Sequence, residues 1–178
     1  MSKIQSPAKI ACIQMRISYC RVEENLAEAD RLIEAACANG ATLLILPETF
    51  TTGYALDTRA EAYAVAEAIP DGRTSQFLTG SFVERDGADL YNTAVLAGPD
   101  GLVGKFRKLH PCEDEVYWAE PGNLGIPVFH TPIGRIALLI CLDAYYPECF
   151  RICALPGADI ICTMFNAYHV KESRRLPD

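Results

Sequence analysis

Hydrophobic residues recur along this chain with two periods. Residues 9–15 alternate loosely and are rich in small apolar side chains, which predicts a first strand. Over residues 22–39, Val22, Leu26, Ala29, Ile33, Ala36 and Cys37 fall at helical spacing, with Glu and Asp on much of the other face. Asn39-Gly40 then supplies a helix stop. Residues 41–46 are short and largely apolar, and end at Pro47-Glu48. Strand, helix and strand in that order predict an α/β layer fold.

Further along, residues 61–69 read as an Ala-rich helix ended by Pro70-Asp71-Gly72. Residues 91–96 and 101–106 read as strands around the turn Gly98-Pro99-Asp100-Gly101. A loop rich in Glu and Pro leads to Pro121-Gly122. Residues 128–131, the turn Pro132-Ile133-Gly134, and residues 135–141 then read as strand, turn and strand. The last of these contains Ile136-Ala137-Leu138-Leu139-Ile140, an unbroken run of the kind buried on both faces. A helix over 148–155 and a strand over 159–165 complete the pattern. No internal repeat or linker interrupts the 178 residues, so a single domain over 1–178 is expected.

Composition narrows the class. Half of the residues are hydrophobic and 22% are charged, which suits a soluble domain with a sizeable core. A net charge of −7 argues against an extended nucleic-acid surface, since phosphate binding rests on Lys and Arg. The longest basic runs are the pairs Arg107-Lys108 and Arg174-Arg175. The N-terminal Met1-Ser2-Lys3-Ile4-Gln5-Ser6 lacks the apolar segment of a signal peptide, and no run is long enough to span a bilayer. A cytoplasmic protein without membrane contact is the expectation.

Eight cysteines remain to be explained. They form no CxxC pair, and in a reducing compartment a disulfide framework is not expected. Cys12, Cys37 and Cys162 sit in apolar stretches and read as small core residues. Cys149 and Cys153, four apart on a helix, share a packing face. Cys141 differs, because it closes the most buried strand and is followed at once by Leu142-Asp143.

Glu48, Lys108 and Cys141 each stand at the end of a predicted strand, where α/β folds usually place their chemistry. Singly, each has an ordinary reading: a solvated loop carboxylate, a surface lysine, a core thiol. In their surroundings they are more specific. The chain resembles the nitrilase superfamily, the carbon–nitrogen hydrolases, from Lys9 nearly to its end. The matching segments are Leu46-Pro47-Glu48 with Gly53-Tyr54, Glu84-Arg85 with Tyr91-Asn92-Thr93-Ala94, and Gly98-Pro99-Asp100-Gly101. They continue with Phe106-Arg107-Lys108-Leu109-His110, Glu120-Pro121-Gly122, Ile140-Cys141-Leu142-Asp143, Pro147-Glu148 and Gly157-Ala158-Asp159.

The resemblance implies a four-layer α-β-β-α sandwich and a catalytic set of Glu48, Lys108 and Cys141. A further family glutamate aligns with Glu115, with Glu113 a close competitor. Amide cleavage needs a strong nucleophile and a proton for the departing amine. A free cysteine is only a few per cent thiolate at neutral pH, so Glu48 is assigned as its base. Lys108 would face the developing oxyanion, a role worth about 3 kcal/mol in other enzymes, with the Leu142 backbone N–H as a second donor. Leu142, Tyr145 and Asn166 are candidate substrate-binding, pocket-lining residues. Asp143 after the nucleophile resembles the amidase-like branches, so a small amide or carbamoyl compound is the expected substrate and a nitrile a poor second. No cofactor or metal is implied, and a homo-oligomer, a dimer or larger, is.

Two departures from the family pattern set further expectations. Family domains are longer, and the strands that complete the second sheet are expected to be absent here. Only seven residues lie between Gly72 and Gly80, where the family places a helix and a strand needing roughly 16 residues. An incomplete sandwich with exposed apolar surface is therefore expected. It leaves two alternatives to hydrolysis open: a non-catalytic subunit of a full-length relative, and an acyl transferase that passes the thioester to an amine.

Overall fold

The computed structural model describes residues 8–66 and 77–166. They form eight strands in two sheets and three α-helices. β1 (Ile10–Cys12), β2 (Leu43–Ile45), β3 (Phe77–Asp86), β4 (Asp89–Gly98) and β5 (Gly101–Arg107) lie in that order in the first sheet. β6 (Val128–Thr131), β7 (Gly134–Ile140) and β8 (Ile160–Met164) make the second. The helices are α1 (Val22–Ala38), α2 (Arg59–Val65) and α3 (Pro147–Ala154).

The first sheet is parallel from β1 to β3 and antiparallel from β3 to β5. The parallel pair β1–β2 requires a crossover, which α1 supplies. The antiparallel part is hairpins, with Gly87 and Gly101 in the left-handed conformation that tight turns need. In the second sheet β7 is central, antiparallel to β6 and parallel to β8 through α3.

The core lies between the sheets. Leu43, Phe77, Ala94, Leu96 and Phe106 of the first sheet pack with Ile136, Leu138, Ile140, Cys162 and Met164 of the second. All five residues Ile136 to Ile140 are fully buried, as the unbroken apolar run predicts. Their second face is covered by α3, whose Cys149 and Cys153 belong to the same cluster. α2 packs Ala62 on Val83 and Leu90 of the first sheet. Helices therefore flank two facing sheets, the expected α-β-β-α order. Among the described residues no helix is long and apolar enough to cross a membrane.

The short stretch before Gly80 does not open the sheet. Phe77, Leu78 and Thr79 pair in parallel with Leu43, Leu44 and Ile45, and the same strand continues as the antiparallel partner of β4. β3 thus fills the place for which a missing strand was expected, and β2 has a neighbour on each side. The expected turn Pro70-Asp71-Gly72, the end of the helix expected over 61–69 and the terminal Leu176-Pro177-Asp178 lie outside the described residues. Two other differences are local. α2 begins earlier than the pattern implies, because Thr58 Oγ1 caps it by accepting from the Glu61 N–H at 3.2 Å. The Glu- and Pro-rich loop also contains a 3-10 helix, Glu113–Tyr117.

Candidate active site

Glu48 is placed by the turn after β2. The Leu46 N–H donates to the Thr79 carbonyl at 2.8 Å and the Thr49 N–H to Ser81 Oγ at 2.9 Å, so β3 fixes the turn. The approach is close enough that a Cβ on Gly80 would stand 2.9 Å from Leu46 Cβ, which only glycine avoids. Glu48 is fully buried. Its Oε1 accepts from Lys108 Nζ at 2.8 Å and from Asn92 Nδ2 at 2.9 Å, while Oε2 accepts from the Asn166 N–H at 3.2 Å.

Lys108 follows β5 and is also buried. Its backbone N–H donates to the Asn92 carbonyl (2.9 Å), and its carbonyl accepts from the Gly122 N–H (2.8 Å). A Cβ on Gly122 would overlap the Arg107 carbonyl, which explains the glycine of Pro121-Gly122. The ammonium donates to Glu48 and, at 2.6 Å, to Glu115 Oε2, and it lies 5.1 Å from the centre of the Tyr54 ring. Burial works against this charge, but the two carboxylates outweigh it and hold the ammonium's pKa above the ordinary lysine value.

The two candidate glutamates differ in burial. Glu115 is fully buried against Lys108, whereas Glu113 is exposed. Glu115 Oε2 also accepts from the Tyr54 hydroxyl at 3.0 Å and the Cys112 N–H at 3.1 Å.

Cys141 begins a 3-10 helix, Cys141–Tyr145, with φ of 44°. A non-glycine residue in that region costs about 1–3 kcal/mol and persists only where its surroundings hold it. Asp143 provides the hold. It is fully buried, and its Oδ2 accepts from the Ile140 N–H at 3.3 Å. Its Oδ1 accepts from the His110 N–H at 3.0 Å and lies 2.7 Å from His110 Nδ1. One carboxylate therefore ties the Cys141 turn to the Lys108-Leu109-His110 segment, and the His110 ring stacks on Tyr146 at 4.0 Å. The Cys141 thiol is half-buried and stands in the field of the Glu48 carboxylate. Burial, then the Glu48 charge, push its pKa up to about 12. Burial also raises the Glu48 carboxyl; Lys108 opposes this and Glu115 adds to it.

The four residues expected to be catalytic thus come together. The three expected to line the pocket divide. Asn166 reaches the cluster, where Nδ2 donates to the Glu48 carbonyl at 3.1 Å. Leu142 is half-buried beside Cys141. Tyr145 is 74% exposed and is not part of the buried cluster.

Pattern reading left Asn92, Tyr54, Cys112 and the His110–Asp143 pair without roles, although each lies in or beside a quoted motif. It also left a second buried network on the opposite face of β4 and β5. There Arg107 Nε and Nη2 each donate to Glu84 at 2.9 Å, Thr93 Oγ1 donates to Glu84 at 2.6 Å, and the guanidinium lies 3.8 Å from the Tyr91 ring centre. Strand alternation explains the division: Tyr91 and Thr93 face one network and Asn92 the other.

A two-sheet sandwich with this buried cluster at its seam places the protein in the nitrilase superfamily. Within that class the carbon-nitrogen hydrolase family model matches residues 9–178, and the chain belongs to this family. It is similar to a nitrilase of Pyrococcus abyssi, with 39% identity over 180 residues, 95% of this chain and 69% of the relative. It is also similar to N-carbamoylputrescine amidase of Solanum lycopersicum, with 31% identity over 157 residues, 79% of this chain and 52% of the relative. Among solved structures, Saccharomyces cerevisiae Nit3, a member of branch 10 of the nitrilase superfamily, matches with a TM-score of 0.78. Its identity is 27%, over 93% of this chain and 68% of that one. The chain thus spans 52% to 69% of the length of these relatives.

Proposed function

We propose that this chain hydrolyses a non-peptide carbon–nitrogen bond in a small amide or carbamoyl compound, through a thioester on Cys141. The observation that carries the reading is the buried Glu48 carboxylate, which takes Lys108 on one oxygen and whose charge acts on the Cys141 thiol.

In the proposed sequence the thiol proton moves to Glu48 as Cys141 Sγ attacks the carbonyl carbon. A thiol at about 12 is almost wholly protonated at neutral pH, so transfer to a base within reach at the moment of attack is what the site requires. The oxygen that becomes negative is faced by Lys108 and the Leu142 N–H. The tetrahedral adduct collapses, the carbon–nitrogen bond breaks, and Glu48 returns the proton to the leaving nitrogen. Water, deprotonated by Glu48, then attacks the thioester and frees the acid and the thiol. Glu115 keeps Lys108 oriented throughout, and Asn166 holds Glu48.

This reading keeps the expectations of one domain, a cytoplasmic setting and a homo-oligomer. Support for the last is a group of exposed apolar side chains on and beside α3: Tyr145, Tyr146, Phe150, Ile152 and Leu155.

The test is ammonia or amine release from a panel of small amides and carbamoyl compounds. The Cys141→Ala protein must unfold cooperatively and release nothing. Release by that variant would overturn the assignment.

A further inference from the structure

Asn92 stands between the two carboxylates of the site. It is 1% exposed, in the middle of β4, and its one amide nitrogen donates to Glu48 Oε1 at 2.9 Å and to Glu115 Oε1 at 2.6 Å. The amide has two hydrogens, and both are used. Its Oδ1 has no hydrogen-bond partner among the described residues. A buried amide carbonyl left without a donor is unfavourable, so this orientation is held by what the nitrogen does. Its backbone carbonyl accepts from the Lys108 N–H, so the same residue also sets the lysine.

We propose that Asn92 is a positioning residue of the reaction, whose amide nitrogen bridges Glu48 and Glu115 and holds the two carboxylates around one lysine, leaving Glu48 ready as the base for Cys141. The proposal rests on the reading of Glu48 as that base.

The physical reason is charge. Two carboxylates share a single ammonium in a buried site, and Glu115 disfavours the ionised form of Glu48. Lys108 neutralises one negative charge. The two N–H donors of Asn92 stabilise the ionised carboxylates without adding charge, which an aspartate or a second lysine in that place would not do. The titratable groups that face this bridge are Glu48 after β2, Tyr54 in the following loop, Lys108 at the end of β5, Cys112 and Glu115 at the 3-10 helix, and Cys141 after β7.

The experiment compares the wild type, Asn92→Leu and Asn92→Ser by urea unfolding across pH. Leucine keeps the volume and removes both donors; serine keeps one hydroxyl donor and serves if the leucine variant does not fold. Without the donors, a site carboxylate has a higher folded-state pKa than in the wild type. The stability it contributes is then lost as pH rises above the ordinary carboxylate value. The gap in unfolding midpoint between Asn92→Leu and the wild type should therefore at least double between about pH 5 and about pH 8, with Asn92→Ser intermediate. A gap that is the same at both pH values would mean that Asn92 only packs, and would overturn the proposal.

In the amide assay the acid limb of kcat/KM should move to higher pH in both variants, and a limb that stays in place would also overturn it. The unfolding comparison needs neither substrate nor Cys141. Failure of the proposed hydrolysis, seen as turnover by Cys141→Ala, is therefore separate from failure of the bridge.

Discussion

Glu48 and Asn166 are joined twice, although 118 positions separate them. The Asn166 N–H donates to Glu48 Oε2 at 3.2 Å, and its side-chain amide donates to the Glu48 carbonyl at 3.1 Å. Glu48 follows β2 of the first sheet and Asn166 follows β8 of the second, so the pair closes the seam where the sheets meet. Replacing Asn166 by Ala removes the side-chain bond and keeps the backbone one. Unfolding should cost about 1 kcal/mol less than in the wild type, the usual worth of one such bond. Turnover should fall by about tenfold or more as Glu48 loses its fixed orientation. Urea unfolding and steady-state rates check both.

Lys108 is, among the described residues, the one cation between Glu48 and Glu115, and all three are buried. Lys108→Met keeps much of the volume and leaves two carboxylates facing each other. Removing one partner of a buried ion pair costs about 3–5 kcal/mol. The variant should lose that much at neutral pH and recover part of it in acid, where the carboxylates take up protons. Denaturant midpoints at two pH values measure the difference.

Glu48 charge is one reason that the Cys141 thiol lies so high, after burial itself. Glu48→Gln should therefore have opposite effects on two reactions of the same sulfur. With the carboxylate gone and Lys108 retained, alkylation of Cys141 by iodoacetamide should speed up by about tenfold, the equivalent of one pKa unit. Amide turnover should drop by about a hundredfold or more, the scale of a lost general base. Peptide mapping, with the exposed Cys12 as internal reference, separates this sulfur from the other seven.

Much of this arrangement was legible in the sequence, because its signals are local. The apolar run of β7, the helical period of α1 and the turn at Gly98-Pro99-Asp100-Gly101 each specify an element without help from distant residues. Glu48, Lys108 and Cys141 were identifiable because each sits at a strand end within a recognisable motif. The rest depends on pairing between distant segments. β3 was missed because the residues between Gly72 and Gly80 looked too few for another element, and its first three residues find their parallel partner only in β2, more than thirty positions earlier. Asn92 lies in a recognisable motif but has no role readable from it, since that role arises only where β4 passes between the turns that hold Glu48 and Glu115. Tyr145, expected to line the pocket, is instead left exposed by the 3-10 helix.

Glu84 offers a test of the second network. Although burial opposes it, hydrogen bonds from Arg107, Lys105 and Thr93 hold its carboxyl down to about 2. A carboxylate depressed in the folded state contributes stability above its unfolded pKa, and that contribution is lost as pH falls towards the folded value. The window is therefore from about pH 4.5 down to about pH 2, and the amount at stake is about 3 kcal/mol. Glu84→Gln should be less stable than the wild type at neutral pH, and the gap should narrow through that window. Thermal unfolding across the acid range reads it directly.

Capture of the acyl-enzyme is the most direct measurement. The folded protein is mixed with a small amide, quenched in acid within the first turnovers and weighed intact. A covalent adduct with the mass of the acyl group should appear, map to Cys141 among the eight cysteines, and decay as the free acid accumulates. The Cys141→Ala protein should show none. Turnover without an adduct on Cys141, or an adduct that persists in Cys141→Ala, would contradict a thioester mechanism at this site.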